Sequence, residues 1–430
     1  MKNFYILFGF IKYLFYAVIL AVFSQKISEG MKCPAKKFIL QMLYGILESN
    51  NVHLSGIARS LEESINLKKT IDRLSRNLSS FDGKENIMKN YIQLVKKETN
   101  EKSPVIVIDN SDITKPYSKK MEALSDVRDG STGEIKKGYL SIEASVLSKG
   151  NKIPLPVYEK IFSAAEKGFL SETDENLKCL GFLSANFRRT CIRTLDRGFD
   201  AEDYYRYFLG RDEKFIIRAK KNRNVIYKNK TCNIMDAAKK YKGNYCMGFT
   251  DKHGKKIQCK ISYIPVKLCA FPEKDLVLVA VYGFGKNPML LVTNLEIQET
   301  SQKKKLCIIV TKVYLMRWRI EEYFRFKKQQ FNFEDLRVMS LNSIRNLNFF
   351  ATLAVGYLGI FYSGNNGSPF MDMVFECSKR IYKIPKFVFY AIGYAFKQIF
   401  SKTSSGIMNY FRKHALPCHQ FPANHIKNGA

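Results

Sequence analysis

The stretch Tyr314–Lys328 reads YLMRWRIEEYFRFKK. If it forms one helix, at about 100° per residue, an arc of roughly 80° carries one carboxylate, three cations and a phenol: Tyr314, Arg317, Glu321, Arg325 and Lys328. A second arc, about 100° wide, is apolar and predicts the buried face: Val313, Ile320, Tyr323 and Phe324. The polar arc is either a solvated face with i,i+4 ion pairs, or a site where a carboxylate binds a divalent cation and its neighbours hold a nucleic-acid backbone.

Two further carboxylates follow strand-like runs upstream. The run Val105–Ile108, VIVI, is β-branched throughout, as in a strand buried on both faces, and it ends at Asp109. The run Cys191–Leu195 ends in the same way at Asp196. Open α/β sheets keep their chemistry where buried strands meet their exit loops, although an Asx turn would also explain Asp109.

Three acids from separate elements suit phosphodiester chemistry. Close carboxylates repel one another and take up protons unless a cation lies among them. Two divalent ions bridged by carboxylates can activate a nucleophile and stabilise the leaving oxygen. Because the donors are oxygens, the ions expected at Asp109, Asp196 and Glu321 are two Mg²⁺ or Mn²⁺, and Asp112 is the fallback for Asp109.

The charge balance indicates a polyanionic partner. The 430 residues contain 70 Lys and Arg against 39 Asp and Glu, a formal net charge of +31, and 46% of them are hydrophobic. A globular chain with that excess of cations is expected to bind DNA or RNA first and a membrane surface second. Its length allows two or three domains.

The cysteines and histidines predict no structural metal or disulfide framework. Ten cysteines are scattered without a CxxC pair, as in proteins of a reducing cytosol. Cys418 clusters with His414, His419 and His425, but their spacing fits no standard zinc site.

The first residues have three open explanations. Residues 4–23 are almost wholly apolar and long enough to cross a bilayer. No small-residue cleavage site follows, and nothing later suggests an extracellular protein. A start codon placed upstream of Met31, or an N-terminal core helix, is therefore favoured over a membrane span.

Short helices are predicted from about Lys36 to Leu78. Ser55 is the expected N-cap of one helix, and apolar residues of the next recur at spacings of 4, 3 and 4: Leu67, Ile71, Leu74 and Leu78. Cations lie off that stripe: Lys68, Lys69, Arg73 and Arg76. The segment is either a helix-turn-helix-like module on DNA or a small helical cap.

The remaining segments complete an α/β pattern. Tyr139–Leu147 and Lys152–Tyr158 read as a hairpin around residues 149–151, and Asp200 is expected to begin or cap a helix. Residues 213–304 are β-rich and include the basic text RAKKNR at 218–223. They predict an inserted β subdomain or further strands of one sheet.

The motifs together resemble the DDE transposases of bacterial insertion sequences, in the subgroup with a Y-(2)-R-(3)-E-(6)-K signature. That signature is matched at its full spacing by four residues: Tyr314, Arg317, Glu321 and Lys328. The first acid of such enzymes lies in a D-x-[S/T] setting, matched by Asp109-Asn110-Ser111. The second lies in D-R-x-x-D, matched by residues 196–200. The resemblance covers about residues 50–355.

The resemblance implies a fold and a set of roles. The expected fold is an RNase H-like α/β catalytic domain with an inserted β-rich subdomain, a helical N-terminal region and a helical C-terminal segment. Asp109, Asp196 and Glu321 would hold two metal ions, and the DNA contacts would come from three other residues of the signature: Tyr314, Arg317 and Lys328. The implied reaction is nicking at transposon ends followed by attack of the freed 3′-hydroxyl on target DNA. The implied partners are double-stranded DNA, as terminal inverted repeats and target, and a second copy of the chain.

These expectations divide the chain into five regions. They are an apolar leader at 1–30, a DNA-binding region at 31–100, a catalytic domain at 101–212 and 305–362, a β-rich insertion at 213–304 and a basic helical region at 363–430. The expected location is the cytoplasm, at the nucleoid. Membrane association and a small-molecule substrate are not expected.

One departure from the family concerns hairpin formation. Some relatives place a Trp at the start of the strand before the Glu helix and use it to hold a flipped base. Met289 stands there in this chain, whose single tryptophan is Trp318.

Three other functions stay open from the sequence. One is an inactive or domesticated descendant that binds DNA without cutting it. Another is an RNase H-like nuclease without strand transfer. The third is a membrane-anchored basic protein.

Overall fold

The structure is a computed structural model that describes residues 2–99, 103–147, 153–241, 243–250, 256–297 and 299–402. Its α-helices are α1 (Lys2–Ile27), α2 (Cys33–Ser49), α3 (Leu54–Ser60), α4 (Leu67–Ser80), α5 (Lys84–Thr99), α6 (Glu172–Asn186), α7 (Glu202–Gly210), α8 (Ile234–Lys239), α9 (Lys303–Met316), α10 (Trp318–Gln330), α11 (Leu341–Asn365), α12 (Pro369–Cys377) and α13 (Phe389–Phe400). Its strands are β1 (Val105–Thr114), β2 (Ser125–Arg128), β3 (Ile135–Leu147), β4 (Pro154–Phe162), β5 (Ile192–Leu195), β6 (Phe215–Arg218), β7 (Asn224–Tyr227), β8 (Lys230–Asn233), β9 (Tyr245–Thr250), β10 (Lys256–Leu268), β11 (Phe271–Tyr282) and β12 (Met289–Thr293). Short 3₁₀ helices lie at Arg197–Phe199, Thr300–Gln302 and Phe333–Asp335.

The chain forms two compact units. Unit 1 comprises the described parts of Met1–Asn90, Lys328–Leu358 and Asn365–Ala430. Unit 2 comprises the described parts of Tyr91–Lys327, together with Gly359–Gly364. All three candidate acids belong to unit 2.

Unit 2 is built on one twelve-stranded sheet. The strand order is β2-β3-β1-β5-β6-β12-β11-β10-β7-β8, with β4 paired to β3 and β9 paired to β10. Strands β1, β5 and β6 are parallel, and the other pairs are antiparallel. The Val105–Ile108 run is fully buried, as its unbroken β-branched sequence predicts. The predicted α/β class is confirmed, and the RNase H-like character stays a prediction.

Strand β1 is longer than the sequence suggested. It pairs in parallel with β5 only over Val105–Val107, and then continues antiparallel to β3 as far as Thr114. Asp109 therefore lies inside a strand and not at its end. It lies two residues beyond the last parallel pair, Val107 with Thr194, at the same end of these strands as the loop that follows Leu195.

The strands between residues 213 and 304 are hydrogen-bonded into the same sheet. Strand β6 runs parallel to β5, and β12 joins β6 to β11 and β10. Of the two alternatives for residues 213–304, the structure therefore has the second, in which they add further strands to one sheet. The predicted β3–β4 hairpin is also present, while its turn at 149–151 lies outside the described residues.

Unit 1 is helical and has an aromatic core. Phe38, Phe81 and Phe350 contact one another edge-on or tilted, and all three are buried. Each such ring pair stabilises the fold by about 1 kcal/mol beyond the contribution of the apolar area that it buries.

The second half of α1 packs in the core of unit 1. Tyr16, Leu20 and Ile27 are buried, and the Tyr16 hydroxyl donates to the Phe370 carbonyl at 3.0 Å. The Tyr16 ring also stands edge-on to Phe396. These contacts favour the core-helix explanation of the apolar leader.

Helix α11 is long and apolar enough to cross a membrane by length and composition. Within the part of the chain that the structure describes, it is the one helix that meets this test. Its most apolar window is 78% buried inside the protein. A mostly buried core helix passes the same test.

The predicted N-terminal helices are present, with one correction. Helix α3 begins at Leu54 with His53 before it, so Ser55 is inside the helix and is not its N-cap. Helix α4 is capped by the Asn66 side chain, which accepts from the Lys68 N–H at 2.9 Å. Its Lys68, Lys69 and Arg76 are exposed, whereas Arg73 is engaged by Glu63 and Gln41.

The described cysteines form no disulfides. Those at 179, 191, 259 and 307 are buried. Cys418 and the three histidines near it lie outside the described residues, as does most of the predicted basic tail.

Replacing Asn346 by Leu is expected to destabilise unit 1 by about 1–3 kcal/mol. The Asn346 amide is fully buried and donates to the Leu78 and Phe81 carbonyls at 2.7 and 3.0 Å, closing the end of α4. The variant would leave those buried carbonyls without these donors. Urea denaturation measures the loss, and an unchanged midpoint would contradict it.

Candidate active site

The predicted single helix over Tyr314–Lys328 is divided at Arg317. Helix α9 ends at Met316 and α10 begins at Trp318. At the joint, the Arg317 N–H donates to the Tyr314 carbonyl and the Ile320 N–H to the Arg317 carbonyl, both at 3.0 Å, in the tighter i→i+3 pattern. The Arg317 side chain at this joint is buried and reaches Asp109 of β1.

The predicted apolar arc is confirmed, and the polar arc is solvated at Glu321 and Arg325, whose side chains are about half exposed. Val313, Ile320, Tyr323 and Phe324 are all buried. Tyr314 is also buried, and Arg317 is only 10% exposed. Further along, Arg325 pairs with Glu322 at 2.8 Å, and Lys328 pairs with Glu334 at 3.0 Å.

Arg317 joins two of the three predicted acids. One guanidinium nitrogen lies 2.5 Å from Asp109 Oδ2, and the other lies 2.5 Å from Glu321 Oε1. Asp109 is nearly buried on β1, whereas Glu321, in the first turn of α10, is about half exposed. A residue from a strand and a residue 212 positions later on a helix thus meet at one cation.

Asp196 belongs to the same electrostatic cluster. Its charge acts on both Asp109 and Arg317. It follows β5 and caps the 3₁₀ turn at Arg197–Phe199, with Oδ1 accepting from the Gly198 N–H at 2.7 Å. Asp109 of β1 and Glu321 of α10 are therefore brought together at Arg317, and Asp196 of the β5 exit loop lies within electrostatic range of Asp109 and Arg317.

The structure separates Asp109 from its fallback. Asp112 lies three residues further along the same strand, and residues three apart in a strand point to opposite faces. Asp112 Oδ1 accepts from the Gly130 N–H at 3.2 Å, on the β2–β3 side. Asp109 is the acid that faces Arg317.

Burial raises the pKa of Asp109 to about 7. Arg317 opposes this shift, while Asp196 and Glu321 add to it. For Arg317, burial disfavours the charge, but the neighbouring Asp109, Tyr314, Glu321 and Asp196 raise the guanidinium pKa above its ordinary value. The cluster is therefore a site of high affinity for positive charge, whether a proton, the guanidinium or a metal ion.

The donor chemistry of the cluster suits Mg²⁺ or Mn²⁺. Its carboxylate oxygens are the ligands that these ions prefer. Among the residues that the structure describes, however, no three His, Cys, Asp or Glu side chains are close enough together to hold a metal ion. Arg317 balances the charge in this conformation, and the same carboxylates would hold a divalent ion once the guanidinium moves away.

Tyr314 lies behind Arg317 and is not on the surface. The guanidinium carbon of Arg317 is 5.9 Å from the centre of its ring. Burial raises the pKa of the phenol, and the positive charges of Arg317 and Arg218 oppose that shift. Tyr314 is thus placed to orient Arg317.

A basic pocket opens next to Asp196. It has a volume of about 490 Å³. It is lined by the β5 and β6 exit loops: Asp196, Arg197, Gly198, Lys220, Lys221 and Asn222. Among these lining residues, the cations Arg197, Lys220 and Lys221 outnumber the single acid, Asp196.

Asp200 builds that pocket, and its predicted role as a helix cap is wrong. The N-terminal flank of α7 is Ala201. The Asp200 carboxylate is buried, accepts from the Lys220 N–H at 2.6 Å and the Tyr205 hydroxyl at 2.8 Å, and forms an ion pair with Arg223, whose Nε lies 2.5 Å away. It fastens the basic loop beside Asp196.

Glu143 is a buried acid that lies outside all of the motifs described above. It stands opposite Asp109 in the β1–β3 ladder. The signal was a charged residue within the apolar run YLSIEASVL at 139–147.

Metal-free wild-type protein is expected to lose stability as the pH rises from about 4 to 7. The folded state holds a proton on Asp109 that the unfolded state has already lost, so stability is complete below about pH 4 and falls through pH 7. Three pKa units correspond to roughly 4 kcal/mol. Denaturant titrations in EDTA at several pH values measure this slope.

Asp109→Asn should remove most of that slope, and Asp112→Asn, on the other face of β1, should keep it. Equal slopes in the wild type and Asp109→Asn would contradict the assignment.

Comparison with known proteins finds a similarity to one family over part of the chain. A family model described as a transposase DDE domain matches residues 179–356, which include Asp196 and Glu321 and begin after Asp109. No curated protein matches the chain.

Seven chains of solved structures match. One is a cryo-EM structure of the piggyBac transposase synaptic complex with hairpin DNA, at 10% identity and a TM-score of 0.43, covering 98% of this chain and 87% of that one. The family match is the informative result: residues 179–356 are similar to the transposase DDE domain.

Proposed function

We propose that the protein is a DNA transposase that cleaves transposon ends with divalent metal ions and joins them to target DNA. The observation that carries this proposal is the bridge from Arg317 to Asp109 and Glu321, with Asp196 in the same cluster. Asp109 and Glu321 share one cation in unit 2, and Asp196 acts on both Asp109 and Arg317 through its charge, in the order and setting of the signature. The family match over residues 179–356 supports it.

The three carboxylates are the proposed ligands of two Mg²⁺ or Mn²⁺ ions. When bound, such ions activate the attacking water or 3′-hydroxyl and stabilise the leaving oxygen. Asp109 supplies a buried ligand and Glu321 an exposed one, so the site is open on the α10 side. That side is where a DNA strand would enter.

Phosphate binding is proposed for Arg317 and Lys328; the predicted phosphate contact of Tyr314 is replaced by a role in orienting Arg317, because Tyr314 is buried behind that guanidinium. A guanidinium can bind either a carboxylate or a phosphate through two parallel hydrogen bonds. Arg317 can therefore bind a phosphate once its contacts with Asp109 and Glu321 are broken. The basic pocket beside Asp196 and the net charge of +31 support a DNA substrate. We further propose that two copies act on paired ends, in the cytoplasm at the nucleoid.

Three single substitutions test the acids: Asp109→Asn, Asp196→Asn and Glu321→Gln. Each is expected to reduce cleavage of a duplex carrying the DNA that flanks its own gene by at least about 1,000-fold in Mg²⁺. DNA binding, measured by mobility shift, should change less than about threefold. Each substitution removes a ligand charge but not a phosphate contact.

Asp112→Asn is the matched control, from the opposite face of β1, and should keep wild-type cleavage. Retained cleavage in any of the three variants, or its loss in Asp112→Asn, would mean that the wrong acid has been assigned. A joining assay with a second duplex separates a transposase from a nuclease. A nuclease would give nicked ends without joined product.

A further inference from the structure

A buried polar cluster connects α10 to the sheet below the candidate acids. Glu143 of β3 accepts from the Tyr323 hydroxyl through Oε2 and from the Lys327 ammonium through Oε1. All three side chains are buried, and none is more than 4% exposed. We infer that this cluster is a positioning device for the proposed reaction: it sets α10 on β3 and so places Glu321 against Asp109.

Stability does not require such a cluster. Taking a carboxylate and an ammonium out of water costs several kcal/mol per ion, and well-packed apolar residues of similar size often serve equally well. Ile320, Phe324 and Phe326 already give α10 a buried apolar face. Apolar contacts are non-directional, however, whereas hydrogen bonds to both oxygens of one carboxylate specify a single height and rotation of the helix.

The sheet end of the cluster is tied directly to the first acid. Glu143 and Asp109 are direct partners in the β1–β3 ladder. Directly opposed residues project from the same face, with Cβ atoms about 5 Å apart. A helix held by Glu143 is therefore held beside Asp109.

The helix end is tied to the third acid. Tyr323 and Lys327 are one turn apart on α10, and Glu321 is two residues before Tyr323. Helices α9 and α10 meet at Arg317 in a tight i→i+3 turn. Beyond this joint, two attachments hold α10 on the sheet: the Arg317 bridge at the start of the helix, and the Glu143 cluster further along it.

Two variants separate positioning from stability. The triple variant Glu143→Leu/Tyr323→Phe/Lys327→Met replaces the whole cluster with apolar groups. It should keep a melting temperature within a few degrees of wild type. Its kcat for end cleavage should fall about 100-fold, the scale of a displacement near 1 Å, with KM for DNA unchanged.

The conservative variant Glu143→Gln should behave in the opposite way. The amide keeps an acceptor for Lys327 and a partner for Tyr323, so the helix stays in register. It leaves a buried ammonium uncompensated, so the melting temperature falls. Its kcat should stay within about threefold of wild type.

A matched control removes another buried ion pair of unit 2. Arg193 and Glu213 lie 3.5 Å apart and are buried. Arg193 also donates to the carbonyls of residues 188, 189 and 191, at the end of β5 opposite Asp196. Arg193→Met/Glu213→Leu should alter stability without lowering kcat. If kcat follows melting temperature across all these variants, the cluster is merely structural and the inference fails.

Two further readouts do not depend on cleavage. Mn²⁺ binding, followed by EPR, should weaken about tenfold in the triple variant. Amide hydrogen exchange in α10 should be faster in it, and also in Tyr323→Phe, which removes a single hydroxyl and is expected to fold.

Exchange in α10 as slow as in wild type in both variants would overturn the inference. Absence of cleavage by the wild type would instead count against the proposed function. The exchange data would still test the cluster.

Discussion

The site depends on one shared cation. The Arg317 guanidinium lies 2.5 Å from both Asp109 and Glu321, and Asp196 is close enough to act on it. The guanidinium opposes the protonation of Asp109 that burial and the neighbouring carboxylates favour. The same charge requirement makes the site suited to a divalent ion. Arg317 therefore connects the metal-free architecture to the proposed chemistry.

The fold brings the acids to that cation by three separate means. The parallel pairing of β1 with β5 sets Asp109 and Asp196 at one edge of the sheet. Arg317, at the joint between α9 and α10, is buried against Asp109, and Glu143 accepts hydrogen bonds from Tyr323 and Lys327 of α10. Asp200 then fastens a basic loop beside Asp196. Buried polar groups thus fix the positions of these elements, whereas apolar packing would contribute mainly to their stability.

Much of this site could be predicted from the sequence because its local signals are strong. The Val105–Ile108 run and Leu195 mark buried strands, and the acids after them face a common edge. The apolar arc of the 314–328 stretch also predicted the buried face, from Val313 to Phe324. In each case a periodic pattern within a few residues carries the information.

The features that the sequence did not predict depend on long-range pairing or local backbone geometry. Periodicity cannot show that β1 continues past Asp109, because that extension depends on β3. It cannot show a tight turn at Arg317, whose backbone angles stay helical. Glu143 looked like an ordinary strand residue, since its partners lie 180 and 184 positions away. Asp200 resembled a helix cap until its contacts with the 220–223 loop were known.

The most direct test is a crystal structure of the wild-type protein with Mn²⁺, using anomalous scattering to locate the ions. We expect manganese bound by Asp109, Asp196 and Glu321, with the Arg317 guanidinium withdrawn from between Asp109 and Glu321. Manganese bound elsewhere, with Arg317 still joining those two carboxylates at saturating metal, would contradict it.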